Sequence, residues 1–143
     1  MLTQFVLKNV LSFKEETVFD MRAINAYKEH PENTADSGYG DKILRVATIY
    51  GANASGKSNF TLAMYIFRAI VAESLNNAND GKLLAIHKFY LPFLLSEEKA
   101  NSEFEIVNII DDAEYRYGFE YNDECIVEEW LYKKNLKTNR TAV

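Results

Sequence analysis

Residues 51 to 58 read Gly-Ala-Asn-Ala-Ser-Gly-Lys-Ser: two glycines with four residues between them, then a lysine and a hydroxyl side chain. Every fixed position of the pattern G-x-x-x-x-G-K-[ST] is filled. The chemistry that this spacing serves is the holding of a polyphosphate. Glycines at 51 and 56 admit backbone angles closed to other residues and let the chain come close to a phosphate. The backbone N–H groups of 53 to 58 can then point inward as an anion nest. A helix beginning near Gly56 adds about half a positive charge at its N-terminus. Lys57 would reach the β- and γ-phosphates as a point charge, and the Ser58 hydroxyl suits Mg²⁺. The expected binding residues for ATP with Mg²⁺ are therefore Gly51, Ala52, Asn53, Ala54, Ser55, Gly56, Lys57, Ser58 and Asn59, with Ser58 the expected metal ligand. A glycine-rich turn with no ligand would not account for the lysine and serine after the second glycine.

Such a loop needs a strand before it and a helix after it. The nearly continuous apolar run Ile43 to Tyr50 suits a strand buried on both faces, as in a parallel sheet. From Gly56 to about Leu75, Phe60, Ala63, Met64, Phe67, Ile70 and Val71 recur at three and four, which marks one face of a helix. Leu62, Ile66 and Ala69 widen the apolar surface, so the helix is expected to be covered on more than one side. Asn76 to Gly81 is expected to stop it.

Ahead of this unit, residues 2 to 10 and 17 to 21 read as strands. Residues 28 to 41 are polar, hold Pro31, Gly38 and Gly40, and read as a surface loop. After the helix the period changes to two. Three segments, from Ser102, Glu114 and Cys125 onward, alternate, and Tyr115, Tyr117, Phe119 and Tyr121 share one strand face. Polar turns separate them, which gives an antiparallel meander. The chain thus reads as one α/β domain: an N-terminal β-lobe at 1–27, a polar loop at 28–42, the phosphate-loop strand and helix at 43–75, and the meander at 83–136.

Ile106 to Asp112 imitates a second nucleotide motif, an apolar strand ending in two acids, 54 residues from Lys57 to Asp111. In phosphate-loop enzymes such a strand carries an aspartate that holds Mg²⁺. Asn108 interrupts the run, however, and an alternating return strand comes at once. A hairpin turn is the expected reading.

Composition limits the rest. The 143 residues are 48% hydrophobic, with nine Tyr, nine Phe and one Trp, which suits a single packed core. The net charge is −5 and gives no electrostatic footprint for nucleic acid. The basic stretch Tyr132 to Arg140 reads as solvated surface. Cys125 is the only cysteine, so no internal disulfide can form, which fits a reducing, cytoplasmic setting, and its thiol is expected to be buried. His30 and His87 have no metal-ligand spacing. Neither a signal peptide nor an apolar run of ~18 residues is present.

The segments Phe5 to Met21 and Val46 to Phe60 together resemble the N-terminal half of an ABC-type ATPase head. They are most similar to the stand-alone AAA-like proteins of abortive infection, related to the OLD, RecF and SMC families. The strand pair Arg116 to Tyr121 and Ile126 to Tyr132 resembles the next strand pair in those proteins. The resemblance implies a P-loop NTPase fold in which an antiparallel β-lobe precedes the phosphate loop, with Asn9 to Phe13 near the adenine. It implies closure of two heads, as a homodimer or larger assembly, a nuclease or other effector partner, and DNA as a partner to test, with no membrane. Such heads also carry a Leu-Ser-Gly-Gly-type signature loop, a Walker B strand and a switch histidine, and none is found. Nor does any glutamine occur in residues 76 to 110. An N-terminal fragment, or a chain completed by a partner, is the expectation. Two other readings stay open: a nucleotide-binding assembly module without catalysis, and a small-molecule phosphoryl-transfer kinase.

Overall fold

The computed structural model describes residues 1–24, 26, 29–79, 85–97 and 99–142, and of 75–79 the backbone. Its elements, in chain order, are β1 (Leu2–Lys8), β2 (Thr17–Asp20), β3 (Thr34–Asp36), β4 (Lys42–Leu44), α1 (Lys57–Asn79), β5 (Ser102–Ile110), β6 (Ala113–Tyr121), β7 (Ile126–Asn135) and β8 (Arg140–Ala142). Six of the strands form one antiparallel sheet in the order β2-β1-β5-β6-β7-β8. The N-terminal β-lobe and the later meander are therefore continuous: β1 lies directly against β5.

Alternation in the strands decides which face α1 covers. Phe5 and Leu7 of β1, Phe104 of β5, and Phe119 and Tyr121 of β6 are all buried on one face. Against them α1 places Phe60, Ala63, Ile66 and Ile70, the spacing of one helical stripe. The aromatic rings mesh: Phe67 stacks on Phe119 at 5.6 Å and meets Phe104 edge-on at 5.9 Å. The shared face expected for Tyr117, Phe119 and Tyr121 is present, and Tyr115 on that face is half-buried.

The opposite face is polar but not uniformly exposed. Glu105 is buried there, accepting from Arg116 Nε at 2.6 Å and from Trp130 Nε1 at 2.8 Å. The indole lies over Gly118, its cross-strand partner, where a Cβ would stand 2.5 Å from Trp130 Cζ2. Glycine is required at 118 because the ring occupies the space of a side chain.

Several expectations need correction. Of the run Ile43 to Tyr50 expected as a buried strand, only Ile43 and Leu44 are strand, in β4, which pairs antiparallel with β3, inside the segment read as a loop. Residues 46–50 form no ladder, and Val46 and Tyr50 are 68% and 88% exposed. Apolar composition marks what a strand can bury, but a strand exists only where a neighbour pairs with it. The loop at 28–41 also holds a 3₁₀ turn at Pro31–Asn33. Helix α1 runs to Asn79, within the segment Asn76 to Gly81 expected to stop it, of which residues 80 and 81 lie outside the described residues. Its outer side is not covered: Leu62 and Tyr65 are 41% and 60% exposed. Cys125 is exposed, since it sits in the β6–β7 turn, where Asn122 Oδ1 accepts from its backbone N–H at 3.0 Å. Among the described residues, no helix is long and apolar enough to cross a membrane.

Candidate nucleotide-binding site

Phe60 anchors the loop. It is the first buried side chain of α1, with its ring 4.9 Å from that of Phe19 and 5.9 Å from that of Phe5. The first helical bond runs from Phe60 N to Gly56 O at 2.9 Å, so α1 begins where the second glycine ends. No acidic side chain occupies its first turn, which leaves the positive end of the helix uncompensated.

The two glycines act differently. Gly56 takes φ +92°, in the left-handed region, and an added Cβ would stand 2.9 Å from Ser12 Oγ. Gly51 has an ordinary φ; its need is room, because a Cβ there would stand 2.6 Å from Ser55 Oγ. This corrects the expectation that both glycines serve unusual backbone angles. Ala54 carries the second left-handed φ in the loop, +61°, without being glycine.

Lys57 Nζ donates to the carbonyl of Gly51 at 2.8 Å, to the carbonyl of Ala52, and to Ser55 Oγ at 3.4 Å. It is thus held over the mouth of the loop by flexible contacts that water can replace. Residues 51–55 and Ser58 are exposed, so loop and hydroxyl are open to a ligand. Among the described residues, no three His, Cys, Asp or Glu side chains cluster as a metal site. A Mg²⁺ ion here would be held by Ser58, waters and the phosphates themselves, as is usual for this ion.

The turn between β1 and β2 lies against the loop. Val10 and Phe13 close it with reciprocal backbone bonds of 2.9 Å, and this sets Ser12 beside Gly56. Asn9, expected near the base, is a structural residue. Its amide donates to the carbonyl of Ala100 at 2.6 Å and accepts from Phe93 N at 3.1 Å, tying the turn to the chain before β5. Beside the loop opens a slot of about 220 Å³, walled by Phe13, Phe19, Ile49, Tyr50 and Phe60 and reaching Ser55–Lys57. Sequence reading missed Phe19, Ile49 and Tyr50 here. Their only signal was apolar character, in β2 for Phe19 and just before the loop for Ile49 and Tyr50. Asn59, next to Ser58 in the first turn of α1, also lines an apolar groove with Ser12 and Tyr90–Leu95.

Asp111 and Asp112 form the β5–β6 turn, with Asp111 at φ +52°. The register of β1 on β5 runs from Leu2 opposite Asn108 to Lys8 opposite Glu103. The phosphate loop packs at the Lys8 end, and Asp111 lies beyond the other end. The nine residues of β5 separate them, about 30 Å at strand rise. Asp112 accepts from Lys137 Nζ and Tyr39 Oη; the lysine first, then the phenol, hold its carboxyl below the usual range. Asp111→Asn should therefore leave the Mg²⁺ dependence of nucleotide binding unchanged, asparagine tolerating the left-handed φ. Calorimetry with and without Mg²⁺ checks this, and a lost Mg²⁺ dependence would restore Asp111 as a metal residue.

A protein family described as "AAA domain, putative AbiEii toxin, Type IV TA system" matches residues 46–142, more than half of the chain and including the whole loop. The chain belongs to this AAA family. The resemblance to AAA-like proteins of abortive infection thus holds, and the family match points to a P-loop NTPase; the mainly antiparallel sheet with one helix is compatible with a partial domain of that kind. Nucleotide binding and ATPase activity are the general activities of an AAA domain. The family match begins at residue 46, yet β1 and β2 are inseparable from the AAA domain's core, since Phe5 and Leu7 lie at its centre. No curated protein matches the chain.

Proposed function

We propose that the chain binds Mg·ATP through Gly51–Ser58 and serves as the nucleotide-binding part of an ABC-type head that hydrolyses ATP when two heads close on it. One observation carries the reading: the uncompensated N-terminus of α1, Lys57 and the open Ser58 hydroxyl converge on a loop whose glycines leave room for phosphate. On binding, Lys57 exchanges two loop carbonyls for phosphate oxygens, and those carbonyls turn to water. Ser58 donates an oxygen toward the metal. Bound Mg²⁺ would supply charge neutralisation across the phosphates. The backbone N–H groups from 53 onward hold the remaining oxygens.

Assembly is part of the proposal. The exposed apolar side chains of 46–50 and the outer side of α1 form a surface suited to a second protein body, a homodimer or larger assembly. The family description names a putative toxin of a type IV toxin–antitoxin system, which supports a defence role; a DNA-linked effector such as a nuclease as the output rests on the resemblance to the OLD, RecF and SMC families. Hydrolysis also needs an oriented water and charge stabilisation in line with the leaving oxygen. The aspartates that the sequence offers for that task lie at the far end of the sheet. Residues 1–143 by themselves should therefore bind ATP, self-associate, and release phosphate well below the roughly 1 s⁻¹ at the low end of enzyme turnover. Phosphate release with Lys57→Ala as the blank, alongside light scattering, tests both parts. A stable monomer with enzyme-like turnover would defeat the proposal.

A further inference from the structure

The turn between β1 and β2 is both strained and heavily anchored. Asn9 and Leu11 take left-handed φ, +51° and +54°. Asparagine tolerates that region, whereas a bulky leucine there is an outlier. Such residues persist only where their surroundings over-determine them, and they gather at functional sites. Here the anchors converge on Asn9, which is buried and has every polar atom in use. Its N–H donates to the Lys14 carbonyl at 3.1 Å, and its carbonyl accepts from Ser102 Oγ at 2.6 Å. Its side-chain oxygen accepts from Phe93 N at 3.1 Å, and Nδ2 donates to the carbonyls of Ala100 and Asn101 at 2.6 and 3.2 Å. Asparagine combines tolerance of a left-handed φ with a donor and an acceptor on one short side chain.

The phosphate loop has few ties of its own. Residues 51–55 are exposed, and among the described residues the backbone bond within them is the long one from Ser55 N to Ala52 O, 3.3 Å. Ser12, carried by the anchored turn, lies against Gly56 at its φ of +92°. We infer that Asn9 is a positioning residue of the phosphate site: it fixes the turn, the turn sets Ser12 against Gly56, and the loop is shaped for an anion before the nucleotide arrives. A loop ordered in advance loses less freedom on binding, so the gain is in affinity. This rests on the reading of 51–58 as a phosphate site.

Two substitutions cut the chain of support at different links. Asn9→Gly keeps the left-handed φ and removes the side-chain anchors, and Ser12→Gly removes the contact at Gly56. Calorimetry with Mg·tripolyphosphate and Mg·ATP should show each variant binding both ligands about 10-fold more weakly than the parent chain. The double variant should bind no more weakly than the weaker single one, because the two residues act through one another. In ligand-free Asn9→Gly the backbone amide of Gly56 should shift, while those of Asp111 and Asp112 stay in place. A folded Asn9→Gly with unchanged affinities would overturn the inference. So would losses that multiply to about 100-fold in the double variant, the mark of independent roles. If Asn9→Gly does not fold, Ser12→Gly decides, since Ser12 is exposed and outside the core. Unchanged tripolyphosphate affinity in that variant overturns the inference, and a loss with a shifted Gly56 amide upholds it. A parent chain that binds neither ligand would instead remove the phosphate-site reading itself.

Discussion

Replacing Lys57 by alanine should weaken Mg·ATP binding by about 10- to 150-fold, the worth of one charge-assisted contact to phosphate, roughly 1.5–3 kcal/mol. The variant should fold as the parent does. Lys57 lies at the first position of α1, and its ammonium meets only loop carbonyls and a serine hydroxyl, all at exposed residues. Those acceptors turn to water when the ammonium is removed, so no buried group is orphaned. Calorimetry gives the affinity and a urea titration the stability. Unchanged ATP affinity with unchanged stability would remove Lys57 from the site. A large loss of stability would mean that the lysine is structural.

The largest effect on folding should come from Phe104→Ala. Phe104 is fully buried at the centre of the sheet, stacked on Tyr121 and Phe5 at 5.8 Å and met edge-on by Phe67 and Phe119 at 5.9 Å. Removing the ring leaves a cavity between the sheet and α1 that four rigid aromatic neighbours cannot fill. Such a truncation costs about 3–5 kcal/mol, against a total stability of about 5–15 kcal/mol for an ordinary domain. Urea unfolding followed by far-UV circular dichroism measures it. A loss under about 1 kcal/mol would mean that the packing of α1 on this sheet is not what holds the chain together. The phosphate loop would suffer in proportion, because Phe60 is seated in the same cluster.

The loop was legible in the sequence because its residue types are each fixed by a local need, and locality is what a sequence displays. The meander was legible for a related reason: period two in β5, β6 and β7 is written residue by residue. What joins those strands to the N-terminus was not. Alternation says which face of β1 is apolar but not that β5, beginning 94 residues after β1 ends at Lys8, would be its neighbour. The same gap explains the error at 46–50. Those residues are as apolar as a central strand, yet their environment depends on what lies beside them, which apolar character alone does not give. Cys125 failed on the same ground, since a small apolar side chain in a turn stays outside when the turn is held by a neighbouring asparagine. Among the expected site residues, Gly56 takes the left-handed φ that glycine allows, Gly51 works through space and not backbone angle, and Asn59 also lines the apolar groove beside Tyr90–Leu95.

The central claim is that one nucleotide, with Mg²⁺, sits at the start of α1. Titrating Mg·ATP into the ¹⁵N-labelled chain while following backbone amide shifts tests it most directly, because the proposed contacts are largely backbone N–H groups. The account predicts large, saturable shifts for the amides of residues 53 to 58, smaller ones at Ser12 and Phe13, and none at Asp111 and Asp112. Shifts centred on the β5–β6 turn, or no saturable shift anywhere in the loop, would contradict it.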